Sequence, residues 1–161
     1  MLVRRNGGWI IVLSFVVALL LTIVPLPGWA GYLWPEWVAM VLVYWCIALP
    51  HRVGVFVGFG AGLMLDVLVG TVLGQHAMGL SVVAFLSQKL HRRIRNFPLW
   101  QQALTVLLLL TVHKLLMAWV NGFTGQPMHG ALYWISPLVS MLIWPTMFSL
   151  LRGVRRRFRV T

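Results

Sequence analysis

The sequence holds few side chains able to do acid–base or ligand chemistry. Its 161 residues include two acids, Glu36 and Asp66, five histidines at 51, 76, 91, 113 and 129, one cysteine, Cys46, and thirteen Lys and Arg. Paired-carboxylate catalysis needs both acids at one place, whereas Glu36 is expected at the rim of an apolar segment and Asp66 deep inside one. Gly-x-Ser-x-Gly and His-Glu-x-x-His strings do not occur, so no enzyme is expected. The histidines alternate between ends and depths of the apolar segments, with no pair at ligand spacing on one helix, which predicts no metal and no cofactor. Cys46 has no second cysteine to pair with and reads as a small core residue.

The densest pattern lies around Asp66. Gly54, Gly58, Gly62, Asp66, Gly70 and Gly74 recur every fourth residue, with Gly60 beside them. Four residues turn a helix by about 400°, so each step drifts by about 40° and Gly58, Gly62 and Asp66 share one face. A small-residue groove of this kind lets another helix approach closely, from this chain or from a partner. The carboxylate sits about 18 Å along its segment, where a charge is costly and marks a candidate functional site. Lys114 and His113, at about 24 and 22 Å along theirs, reach a similar depth and are candidate partners of Asp66. Lys114 is also six residues from the outer end of its segment and could extend outward instead.

These residues must be positioned by membrane-length elements. The chain is 60% hydrophobic and only 9% charged, with a mean hydropathy of +0.89, far from the roughly 25% charge of a soluble domain. Six apolar spans are expected, at residues 9–24, 36–49, 55–73, 77–90, 99–120 and 133–151, forming one transmembrane domain over 1–161 with a basic tail at 152–161. Pro25 and Pro27 close the first span, Pro35 and Pro50 bracket the second, and Pro98 opens the fifth, where a missing N–H costs nothing. Pro137 falls in the first turn of the sixth span, and the central Pro145 is expected to kink it. The second and fourth spans are short for a bilayer of roughly 30 Å and need buried positions; either could be a partial helix packed within protein.

Charge sets the expected orientation. With the N-terminus inside, the inner segments carry Arg4, Arg5, Arg52, Lys89, Arg92, Arg93, Arg95, Arg152, Arg155, Arg156, Arg157 and Arg159, while outer loops 25–35, 74–76 and 121–132 contain no Lys or Arg. That asymmetry predicts both termini in the cytoplasm. Eight of the nine tryptophans, Trp45 among them, fall near span ends as an interfacial belt requires; Trp144 is the exception. Arg4, Arg5 and Gly28-Trp29-Ala30 give the N-terminus a superficial likeness to a signal peptide, but five further spans favour a retained anchor. The net charge of +11 does not imply nucleic acid, because the basic residues are not interleaved with aromatics on a polar surface. The groups Lys89, Arg92, Arg93, Arg95 and Arg155, Arg156, Arg157, Arg159 could instead touch anionic lipid headgroups or an acidic cytoplasmic partner.

Several strings together resemble one family, the rod shape-determining protein MreD in its gammaproteobacterial form. They are Trp45-Cys-Ile-Ala-Leu-Pro-His-Arg-Val-Gly54, Gly58-Phe-Gly-Ala-Gly-Leu-Met-Leu-Asp66 followed by Gly70 and Gly74, Leu99-Trp-Gln-Gln-Ala-Leu104, and Trp144-Pro145 before the basic tail. The resemblance covers almost the whole chain. It implies an all-α integral membrane protein of six transmembrane helices, N-in and C-in, similar in fold to the substrate-binding subunits of energy-coupling-factor transporters. It implies an inner-membrane, non-enzymatic scaffold that binds MreC and, through it, helps couple the MreB filament to RodA and its partner transpeptidase. A homodimer stays open. The family's functional positions would fall on Gly58, Gly62, Asp66, Gly70 and Gly74, and on the Pro50, His51, Arg52 turn. Trp34 stands where the family pattern suggests a basic residue, and no family pattern requires Lys114. The fold kinship keeps a second expectation alive, a small-molecule or lipid-binding transport subunit built on a polar pocket around Asp66.

Overall fold

The computed structural model describes residues 7–25, 33–70, 73–125 and 131–160; Arg4, Arg5, Pro27, Gly28, Trp29, Ala30 and His129 lie outside the described residues. The helices are α1 (Gly8–Thr22), α2 (Trp37–Ala48), α3 (Val55–Val69), α4 (Gln75–Lys89), α5 (His91–Asn96), α6 (Leu99–Phe123) and α7 (Ile135–Arg157), with a 3-10 turn at Ala131–Trp134 leading into α7. No strand occurs among the described residues.

The second helix organises the rest. Its residues are apolar around the whole circumference, so no face can be left in water and all must be covered. Every residue of α2 from Val38 to Ala48 is buried, with α1, α4, α5, α6 and α7 packed around it. At roughly 18 Å long, α2 is shorter than a bilayer, and being enclosed by protein removes that mismatch. Trp45 is accordingly no interfacial anchor. It is fully buried, and its indole N–H donates to Ser14 Oγ at 2.8 Å, because a tryptophan on a helix enclosed on every side has no route to a headgroup. Trp144 is likewise in the core, with its N–H toward Gln102 Oε1 at 3.4 Å.

α3 leans on α4, α4 on α6, and α6 on α7. Among the described residues, α6 and α7, at 25 and 23 residues, are the helices long and apolar enough by themselves to cross a membrane; α1, α2 and α3 are shorter apolar helices. Phe56, Val67, Leu108, Phe123 and Leu142 stand outward, at least two-thirds exposed. Apolar surface on that scale belongs in lipid rather than water. α7 begins with Pro137 in its first turn and continues through Pro145.

The inner segment that follows α4 and carries Arg92, Arg93 and Arg95 forms the short helix α5. Ile94 of α5 is buried and acts as its anchor, and Arg95 Nη2 donates to the α2 carbonyls of Ile47 at 2.6 Å and Ala48 at 3.3 Å. Those are orphan acceptors at a helix C-terminus, which a basic side chain satisfies well. The start of α1 meets the end of α7: the Trp9 and Phe158 rings are 5.4 Å apart, edge to face, and Gly7 lies against Val160.

Candidate functional site

The chain's two acids lie toward the end of the bundle opposite the arginine clusters, and the structure uses each to hold helices together. Asp66 is in the last turn of α3. Gly74, which starts α4, has φ 98° and no side chain that could cap that helix. Asp66 supplies the cap from outside: Oδ2 accepts from the Gly74 N–H at 2.9 Å and the Ala77 N–H at 3.4 Å, and Oδ1 accepts from the His76 N–H at 2.8 Å. His76 Nδ1 also lies 2.7 Å from Oδ1, and since a carboxylate only accepts, the ring proton there is on Nδ1. A buried carboxylate is thus placed on the unsatisfied donors of a helix N-terminus, where the local dipole favours negative charge.

Gly62 makes the approach possible. A Cβ at Gly62 would overlap the backbone of Ala77, and one at Gly58 would lie 2.9 Å from the Leu80 carbonyl oxygen and 3.0 Å from Ala84 Cβ. The small-residue face of α3 is therefore filled by α4 of the same chain and is not an open seat for a partner helix. Gly70 and Gly74 do something else. A Cβ at either meets nothing, but both have positive φ, 78° and 98°, and they shape the turn that returns α4 to Asp66.

Asp66 does not pair with Lys114. Lys114 Nζ lies 3.2 Å from Glu36 Oε1 and 4.2 Å from the Tyr133 ring centroid. His113 Nδ1 is 3.6 Å from the other Glu36 oxygen. The depth estimate is sound, but Lys114 and His113 reach the start of α2, and the acid waiting there is Glu36. The two sites adjoin, because the His76 and His113 rings are 5.9 Å apart. Asp66, His76, His113, Glu36 and Lys114 thus form a run of ionisable groups from α3 through α4 and α6 to α2. His113 is buried, with Gly79 making room: a Cβ at Gly79 would lie 2.6 Å from the His113 ring. Neighbouring bonds tie the same end, with Gln75 Nε2 donating to Asn121 Oδ1 at 2.8 Å, the Glu36 N–H donating to Ser140 Oγ at 3.0 Å, and Ser136 donating to the Trp34 carbonyl at 2.8 Å.

At the other end, the Pro50, His51, Arg52 segment is a turn closed by Arg52 and Val53 N–H donation to the Leu49 carbonyl, each at 3.0 Å. Gln88 Nε2 holds it by donating to the Pro50 carbonyl at 2.6 Å. Arg52 reaches the start of α1, 2.8 Å from where a Gly8 Cβ would stand. His51 is exposed. The two basic groups, separate in sequence, partly converge: Arg95, Arg155, Arg156 and Arg159 share one cavity lining, while Lys89, Arg92, Arg93 and Arg157 lie outside it. Sequence reasoning missed Glu36, His76, Gly79, Gln75 and Gln88 as structural partners. The available signal was the shortage of acids, since with only two in the chain each deep basic or imidazole group had few places to go.

Two comparisons match this sequence to known proteins. The family model for rod shape-determining protein MreD matches residues 3–154. Rod shape-determining protein MreD of Haemophilus influenzae is 35% identical over 157 residues, covering 94% of this chain and 94% of that protein. No solved structure matches the chain.

Proposed function

Because the chain belongs to the rod shape-determining protein MreD family, we propose that it acts as a non-enzymatic scaffold of the cell-elongation machinery in the bacterial inner membrane. It binds MreC there and helps couple the MreB filament to RodA and its partner transpeptidase. The observation that carries this is the family match along nearly the whole chain. The topology proposed with it is one domain of six spans with both ends in the cytoplasm. The Trp9–Phe158 contact, which puts the two ends of the bundle's chain together, supports an even number of crossings. The gathering of Arg95 with the α7 arginines supports a single basic face.

The geometry favours a scaffold over a transport subunit. Both oxygens of Asp66 already accept bonds from α4, so the carboxylate serves the bundle rather than a ligand. Binding free energy is the output of such a protein, with its helices locked so that partner surfaces keep a fixed shape. The test is complementation in a rod-shaped bacterium lacking its own copy. Asp66→Leu should still insert into the membrane yet fail to sustain rods. Rod-shaped cells sustained by that variant would refute the assignment of Asp66 to the functional frame.

A further inference from the structure

Five arginines converge on a cavity of about 500 Å³ at the basic end of the bundle: Arg95 from α5, Arg152, Arg155 and Arg156 from α7, and Arg159 just beyond it. Its lining includes the Tyr44 and Phe148 rings, 5.6 Å apart, and Tyr44 stands in the field of Arg155, Arg152 and Arg156. Among the described residues no acidic side chain relieves the crowding. The only two, Glu36 and Asp66, are engaged at the opposite end by Lys114 and by His76. Like charges gathered beside apolar side chains repel one another, which favours an anion among them.

The backbone carries a second and independent sign. After α7 the chain closes in a Schellman motif: the Val160 N–H donates to the Arg155 carbonyl at 3.0 Å and the Arg159 N–H to the Arg156 carbonyl at 3.4 Å. The residue this motif places in the left-handed region is normally glycine. Here it is Arg159, with φ 49°, and no other described non-glycine residue has positive φ. A side chain retained in a strained conformation points to a use for that side chain, and Arg159 lines the cavity.

From this geometry we infer a binding site for a group carrying two phosphates, either a lipid headgroup or a soluble diphosphate. Every cation in the lining is arginine and none is lysine. The guanidinium fork matches phosphate oxygens two at a time, which a lysine point charge does not. Five positive charges call for more than the single charge of one phosphodiester, and the aromatic side chains in the lining suit a group lying at the edge of hydrocarbon. Arg95 contributes its position more than its freedom, since it also caps α2. The inference does not depend on the shape-determining role.

The test uses the full-length protein in neutral detergent, with cardiolipin, phosphatidylglycerol and inorganic pyrophosphate as probes and binding read by native mass spectrometry. Arg152→Gln/Arg156→Gln removes two charges from the lining, and Arg92→Gln/Arg93→Gln removes two exposed charges nearby but outside it. Cardiolipin or pyrophosphate should bind one per chain, more tightly than phosphatidylglycerol. The cavity variant should lose roughly tenfold or more in affinity, and the control variant less than about twofold. Arg159→Gly should bind several-fold more weakly while melting no lower than wild type, which separates the loss of a ligand contact from a loss of folding. Cardiolipin binding without pyrophosphate assigns the site to a lipid, and binding of both assigns it to the diphosphate group itself. Equal losses in the two double variants, or no one-to-one complex with either two-phosphate probe, would overturn the proposal.

Discussion

Asp66 and His76 meet twice across the turn between α3 and α4: the carboxylate accepts the His76 backbone N–H at 2.8 Å and faces its ring nitrogen at 2.7 Å. One side chain near the end of α3 thereby fixes both the start and the azimuth of α4, the helix that leans in turn on α2 and α6. A charge that is costly in hydrocarbon is placed where it satisfies donors that would otherwise be orphaned.

Replacing that carboxylate should therefore act on folding first. Asp66→Leu leaves the Gly74, His76 and Ala77 N–H groups unsatisfied and should destabilise the bundle by roughly 3–5 kcal/mol. Asp66→Asn keeps one acceptor oxygen and should cost about half as much. Thermal unfolding in mild detergent, followed by tryptophan fluorescence, gives the order. Equal stability of both variants with wild type would show that the cap is not needed.

The α3–α4 approach offers a test with an internal control. Gly62→Ala drives a methyl into the Ala77 backbone and should cost about 2–3 kcal/mol. Gly60, two residues away on the same helix, has open space around it, so Gly60→Ala should be neutral or stabilising by up to about 1 kcal/mol. The same unfolding measurement should rank Gly60→Ala at or above wild type and Gly62→Ala well below.

Glu36 and Lys114 should behave as a coupled pair. Each of Glu36→Gln and Lys114→Met strands a largely buried charge and should destabilise by about 2 kcal/mol or more. The double variant should be less damaged than the sum of the two, with a coupling of about 1 kcal/mol or more. Strict additivity would mean that the contact contributes nothing.

Arg159→Gly relieves the left-handed strain at the end of α7 and should stabilise the tail by about 1 kcal/mol. Protection of the Val160 amide in hydrogen exchange should rise accordingly. A drop in protection would show that the Arg159 side chain itself holds the tail.

What could be read from the sequence followed from composition and local pattern. The apolar runs anticipate α1, α2, α3, α4, α6 and α7 within a few residues at most ends, since hydropathy and proline punctuation are local quantities. The need to enclose the short second span follows from length alone, and α2 is enclosed. Gly58, Gly62 and Asp66 do share a face, as a four-residue repeat requires. What filled that face could not be read, because close packing by α4 and by a partner leave the same sequence mark. The exchange of partners between Asp66 and Glu36 was hidden for a related reason: depth along a helix fixes one coordinate, whereas pairing also needs azimuth. Azimuth is set by the Gly70 and Gly74 turn, which brings His76 to Asp66 and leaves Lys114 to Glu36. Trp45 was misplaced because position near a span end does not distinguish an enclosed helix from a lipid-facing one.

The scaffold account is tested most directly by isolating tagged wild-type and Asp66→Leu chains from the native membrane in mild detergent and identifying bound proteins and small molecules by mass spectrometry. The account predicts that wild type brings down MreC and wall-synthesis proteins without a stoichiometric ligand at the Asp66 site, and that the variant, compared at equal amounts of inserted protein, recovers much less of them. A small ligand retained by wild type and lost from the variant, with MreC missing from both, would contradict the scaffold and favour a binding subunit.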